Sequence, residues 1–236
     1  MRRILTCGFV AACAIAPAVM TAQSKPTAAT YITDEEVKTV NATPGIDRTI
    51  RVVDIGNENF AVGVIHRAGR GAAPAAGAGG GAGRAAGGGA AGGGGRAAGA
   101  AGGTGRANAA APVPCGEKMD AVPAGGTPGM IAHDSQTEGY LVISGAGTLV
   151  TGGKIVNGAK SGPDNQVTTE LNGPSCSGTA VGADIVKKPV KTGDIIIIPA
   201  GVPHGWIDIT DHVDYLSFRP SQRVLTAGYV HPSIKK

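Results

Sequence analysis

Residues 193–209 read GDIIIIPAGVPHGWIDI. Gly193-Asp194 is a turn pair. Four consecutive isoleucines follow, and a run of that kind reads as a strand buried on both faces. Pro199-Ala200-Gly201-Val202-Pro203 is a rigid turn, because proline fixes its own φ and restricts the residue before it. His204 then starts a further strand.

The same pattern extends in both directions. Residues 132–149 read AHDSQTEGYLVISGAGTL: a histidine, a glutamate five residues later, a strand-like run, then Gly-Ala-Gly. GYLVIS (139–144) and GTLVT (147–151) read as two strands joined at Gly145-Ala146 by a tight hairpin. Residues 152–178 are rich in Gly, Asn, Pro and Ser and read mainly as loop. VDYLSFR (213–219) is another strand. Upstream, TDEEVKTVN (33–41) carries a polar cap and an acidic first turn, which predicts a short helix ended by Pro44-Gly45. IRVVDIG (50–56) and NFAVGVIHR (59–67) alternate as strands. Short strands at roughly ten-residue spacing, with Gly and Pro between them, predict an all-β sandwich or barrel.

Two segments stand apart. Residues 1–22 carry Arg2-Arg3, an apolar run from Ile4 to Met20 and a small-residue exit near Ala22. This is the pattern of a secretory signal peptide, which predicts an exported protein, periplasmic or secreted. Val10-Ala11-Ala12-Cys13 resembles a lipoprotein box, but the apolar run continues past Cys13, so a lipoprotein is the lesser reading. Residues 68–112 are nearly all Gly and Ala with scattered Arg. Such a segment has little side-chain surface to bury against the entropy of ordering it, and it reads as a disordered insertion. It therefore separates residues 31–67 (helix and first strands) from the barrel core at 113–231.

Composition excludes some functions. The formal charge of +4 falls to about +2 without Arg2 and Arg3, which gives no basic patch and no case for nucleic acid. No membrane span is expected once the signal is removed. Cys115 and Cys176 remain in the exported chain, and the sequence allows either one disulfide or two free thiols. There is no nucleophile elbow and no Cys-His arrangement.

The spacing around His204 resembles the second motif of the cupin superfamily: Gly, five residues, Pro, one, Gly, two, His, three, Asn. Gly193, Pro199, Gly201 and His204 fall on it, with Asp208 in place of Asn. The first cupin motif has His, one residue, His, three or four, Glu, six, Gly. His133, Glu138 and Gly145 fit it, but the first histidine is replaced by Ile131. The resemblance covers about residues 125–209. It implies a double-stranded β-helix, a jelly-roll barrel with a metal site in its mouth. It also allows a homodimer.

What remains is three of the usual four ligands: His133, Glu138 and His204. Two imidazoles and one carboxylate suit Fe(II) with open positions or Zn with a water, and Mn or Ni as well. Asp134 or Gln136 is a candidate for the fourth position. Strand parity puts Tyr140 beside Glu138, and Trp206 and Asp208 beside His204. These residues, with Gln136, His66 and Arg219, form the candidate pocket for a small-molecule ligand. Each also has a plain reading: Trp206 as core, His66 as a buried, hydrogen-bonded histidine on an apolar face, Arg219 as half of a surface salt bridge. Two functions compete, ahead of a third in which the chain is a structural or surface-interaction protein that works through its Gly/Ala-rich segment. One is a metal-dependent oxygenase, isomerase or hydrolase of a small molecule. The other is a metal-free module that binds a sugar or an aromatic acid.

Overall fold

The computed structural model describes residues 26–69 and 112–235. The signal segment, and residues 70–111 of the Gly/Ala-rich insertion, lie outside the described residues. Thr33 caps helix α1 (Asp34–Asn41) through a reciprocal capping box with Glu36. Eleven strands follow: β1 (Asp47–Asp54), β2 (Asn59–Ala68), β3 (Pro114–Cys115), β4 (Thr127–His133), β5 (Glu138–Thr151), β6 (Lys154–Lys160), β7 (Ser175–Val181), β8 (Val186–Lys191), β9 (Ile195–Ile198), β10 (His204–Ile207) and β11 (His212–Pro220). A π-helical turn, Val167–Leu171, lies between β6 and β7. No helix among the described residues is long and apolar enough to cross a membrane.

All strand pairs are antiparallel, as the all-β reading expects, and β5 joins them into two sheets. Residues 138–145 of β5 pair with β11 and β9, and β11 continues to β2 and β1. Residues 146–151 of the same strand pair with β8, and residues 148–151 with β10, which leads on to β4, β7, β6 and β3. The expected hairpin at Gly145-Ala146 is therefore a bend within one continuous strand. Gly145 has φ +71°, and a Cβ there would collide with the His212 carbonyl. The same glycine that could close a turn lets the strand pass from one sheet to the other.

Two further readings need correction. The isoleucine run is not buried on both faces: Ile195 and Ile197 are each 74% exposed, and Ile198 is buried. The described contacts pair β9 with β5 alone, so its outer face has no covering layer. Residues 152–178 are also not mainly loop, because they hold β6, the π-helical turn and the first four residues of β7, which runs on to Val181 beside β6. Gly158 and Gly178 weakened the strand signal there, yet a Cβ at either would press on Ile155 and the neighbouring backbone.

The core between the sheets is formed by alternating positions. Val213, Tyr215, Ser217 and Arg219 of β11 point inward, as do Glu138, Tyr140 and Val142 of β5. One apolar cluster joins Ile65, Tyr140, Val142, Leu149, Val190, Ile198, Val213 and Tyr215. A second joins Met130, Val150, Ile155 and Ala180 near the disulfide between Cys115 and Cys176. That bond ties β3 to β7 across 61 residues, and such a cross-link stabilises by roughly 2–5 kcal/mol.

Candidate metal centre

His133 is the last residue of β4, Glu138 the first of β5 and His204 the first of β10. Strand ends thus bring the three together at the rim of the barrel. The Gly201 N–H donates to the His133 carbonyl at 2.8 Å, which fastens the proline-flanked turn to β4. All three side chains are buried, with residue exposures of 4%, 1% and 5%. Among the described residues they form one group of possible metal ligands whose donor atoms lie within 4.8 Å of one another.

The hydrogen bonds around the ring fix each tautomer. His204 Nδ1 lies 3.0 Å from the Val202 carbonyl, which can only accept, so Nδ1 carries the proton. Ser175 Oγ donates to the Gly173 carbonyl at 3.0 Å and therefore accepts from His133 Nδ1 at 2.8 Å. Both histidines consequently turn an Nε2 lone pair toward Glu138 Oε2, at 3.4 Å from His133 and 3.3 Å from His204. Asn172 Nδ2, 3.0 Å from His133 Nε2, can donate to one of these lone pairs, but lone pairs facing a carboxylate in a buried site repel unless a cation, a proton or a metal ion, stands between them. A metal ion fits that demand. Ligands bound at ~2.1 Å to one ion stand about 3.0–3.4 Å apart, which is the spacing of each histidine from the carboxylate here.

The carboxylate is held from behind. Glu138 Oε1 accepts from Ser217 Oγ at 3.2 Å and from Arg219 Nε at 3.2 Å, and Tyr140 donates to Oε2 at 2.5 Å. Arg219 is fully buried and also pairs with Asp47. Burial alone would raise the Glu138 pKa. In the metal-free site, hydrogen bonds from His133 and His204 with a proton on Nε2, and then the guanidinium of Arg219, outweigh it and hold the carboxyl well below its usual range. Burial, followed by the Glu138 charge, pushes the Tyr140 hydroxyl well up, so it stays a donor.

The other candidates are placed as follows. Tyr140 is in the centre, as described. Trp206 is half-buried against Tyr215, ring centroids 5.4 Å apart, with its indole N–H buried and unpartnered. Gln136 turns away and donates to the Pro220 and Thr137 carbonyls. Asp134 is exposed and pairs with Lys160. Asp208 follows the end of β10 at φ +52°, is exposed, and lines a separate cleft of about 650 Å³ with Gly145, Pro189 and His212. His66 is not buried: its side chain is 38% exposed and pairs with Asp214 at 2.6 Å, away from the three ligands. Arg219 is neither on the surface nor open to a substrate carboxylate, since Glu138 and Asp47 occupy it.

Sequence reasoning missed Ser175, Ser217, Asp47 and Asn172. Asn172 Nδ2 lies 3.0 Å from His133 Nε2, and its Oδ1 is buried without a partner. No spacing rule pointed to it.

No family model matches the chain, and no curated protein does. Solved structures similar to it include the Bacillus halodurans protein BH2720, at 11% identity over 88% of this chain and 92% of that one, TM-score 0.37. Another is oxalate oxidase in complex with the substrate analogue glycolate, at 14% identity, TM-score 0.30; the match covers 78% of this chain but only 55% of the oxidase chain. A third is peruvianin-I, a cysteine peptidase from Thevetia peruviana latex, at 12% identity over 83% and 81%, TM-score 0.30. Likenesses this distant transfer no activity to this chain.

Proposed function

We propose that this chain, a member of the cupin superfamily by its two motifs and by its fold, holds one divalent metal ion through His133, Glu138 and His204 and acts through it on a small molecule. The observation that carries the reading is the pair of Nε2 lone pairs aimed at one carboxylate oxygen in a buried site. The bound ion would supply Lewis acidity, an activated water or an oxygen-binding position, which are the chemistries of a hydrolase, an isomerase and an oxygenase. The chain's own residues fix the ligands. Ser175 and Val202 set the tautomers, while Arg219 and Ser217 aim the carboxylate. The near-complete burial of the centre restricts a substrate to a small molecule.

Export is part of the proposal. The Arg-Arg and apolar start of the sequence supports it, and so does the Cys115–Cys176 disulfide, which suits an oxidising compartment. A homodimer would find an open backbone edge with Ile195 and Ile197 on β9, and sedimentation would reveal it.

The test is elemental analysis of untagged mature protein. About one metal per chain in wild type, lost in His204→Ala, is expected. Absence of metal after Fe, Zn, Mn and Ni have each been offered would overturn the reading. The cleft of about 650 Å³ lined by Asp208 and His212 favours a second reading, a binding module that needs no metal. That reading predicts ligand-induced thermal stabilisation untouched by chelator.

A further inference from the structure

Ile131 leaves the centre one ligand short of its family pattern, and the structure offers a different side chain there. We infer that Asn172 supplies the fourth protein donor, through its side-chain carbonyl oxygen. This rests on the metal site proposed above.

Three observations carry it. Asn172 is 6% exposed and its Nδ2 stands 3.0 Å from His133 Nε2, the same atom that faces Glu138. Its Oδ1 is buried with no hydrogen-bond partner among the described residues, an arrangement that costs about 1–3 kcal/mol if nothing compensates it. The two ends of an amide are interchangeable by a half-turn about χ2. After that turn an oxygen stands 3.0 Å from His133 Nε2, within the spacing of two ligands on one ion, while the amide N–H takes the other buried position. A divalent ion accepts an amide carbonyl as it does a carboxylate oxygen.

The backbone around Asn172 is built to hold it there. The residue closes the π-helical turn Val167–Leu171, and its own N–H donates to the Val167 carbonyl at 2.9 Å. Such turns are rare and recur at functional sites. Gly173 follows at φ +74° and reverses the chain into Ser175, whose hydroxyl orients His133. Gln222, itself 1% exposed, donates to the Leu171 carbonyl at 2.6 Å and braces the turn from the other side. The segment between the two cupin motifs thus delivers one ligand candidate and one ligand-orienting group within four residues.

The experiment uses the mature chain stripped of metal and titrated with Co(II), read by calorimetry and by the visible Co(II) absorption. Wild type, Asn172→Leu, Asn172→Asp and His204→Ala are compared. Outer partners of a metal ligand are worth about 10–100-fold in affinity, so loss of a direct donor should weaken Asn172→Leu by about tenfold or more and alter the Co(II) bands. Asn172→Asp keeps an oxygen but cannot donate to His133 Nε2, so it should bind one ion at least as tightly as wild type. Asn172→Leu with wild-type affinity and spectrum, while His204→Ala loses the ion, would remove Asn172 from the ligand set and leave the site standing. A wild type that binds no Co(II) would overturn both. Should Asn172→Leu fail to fold by circular dichroism, Asn172→Asp decides alone: weaker binding would mean that the amide serves only as an N–H donor.

Discussion

His133 and His204 face Glu138 at one end of β5, and His66 and His212 gather around Asp214 near its bend. The two groups have the same composition and opposite character. At the bend every polar atom of the carboxylate is served: His66 Nδ1 lies 2.6 Å from Asp214 Oδ1, and Ser144 donates to Oδ2 at 2.8 Å. His212 uses both nitrogens, one on Ser144 at 3.0 Å and one on Asp211 at 2.7 Å. The His66 and His212 side chains are 38% and 33% exposed. At the head of β5 the nitrogens are buried, the protons are directed away, and the lone pairs converge. Proximity of histidine to carboxylate is therefore a weak sign of a metal. The informative sign is a pair of buried imidazoles whose Nδ1 protons point away and whose Nε2 atoms converge on one carboxylate oxygen.

The contrast can be broken most directly by truncating a histidine on each side. His204→Ala should abolish stoichiometric metal binding, whereas His66→Ala and His212→Ala should leave it unchanged. Metal loss in all three, by elemental analysis, would erase the distinction. Next in size is Arg219→Leu, which leaves Asp47 and Glu138 buried without their cation. A loss of about 3–5 kcal/mol in urea unfolding of the metal-free protein is expected. A change under 1 kcal/mol would show that the carboxylates do not need it.

Acid sharpens the comparison further. The ligands must be unprotonated to bind an ion, so affinity should fall as pH falls, and calorimetry at two pH values checks it. Metal-free stability has its own sign. Glu138 is held below its ordinary 4.5 in the folded state, so the unfolded chain takes up the proton first. Its contribution is complete above that value and is lost as the pH drops below it toward the folded pKa. A urea midpoint that rises on acidification below pH 4.5 would contradict the assignment. Ser175→Ala should weaken metal binding about tenfold by freeing the His133 tautomer. The smallest effect is expected at the bend, where Ser144→Ala should cost about 1 kcal/mol or less, because the groups around it are partly solvated.

The ligands were legible through their resemblance to the two cupin motifs, a spacing that holds because they sit at strand ends joined by turns: His133 to Glu138, and Gly193 to His204. The parity of β5 carried Tyr140 into the centre for the same reason. Parity failed for Asp208 because β10 stops at Ile207 and the next residue adopts a positive φ. Gly145 was misread because a local rule about glycine cannot see that both flanks of it pair with other strands. Asn172 was invisible because its place is made by a π-helical turn and by Gln222 from the C-terminal region. Those are tertiary facts, and an Asn-Gly pair in a polar stretch carries no trace of them.

The unbroken course of β5 also bears on how this protein comes apart. Glu138 begins a strand whose second half belongs to the opposite sheet. Neither sheet can peel away as a separate foldon without pulling the carboxylate off its partners. Slow amide exchange in the two sheets should then share one opening free energy. An ion seated at the head of the strand would slow exchange as far away as Lys191 on β8, a reach that no direct contact provides.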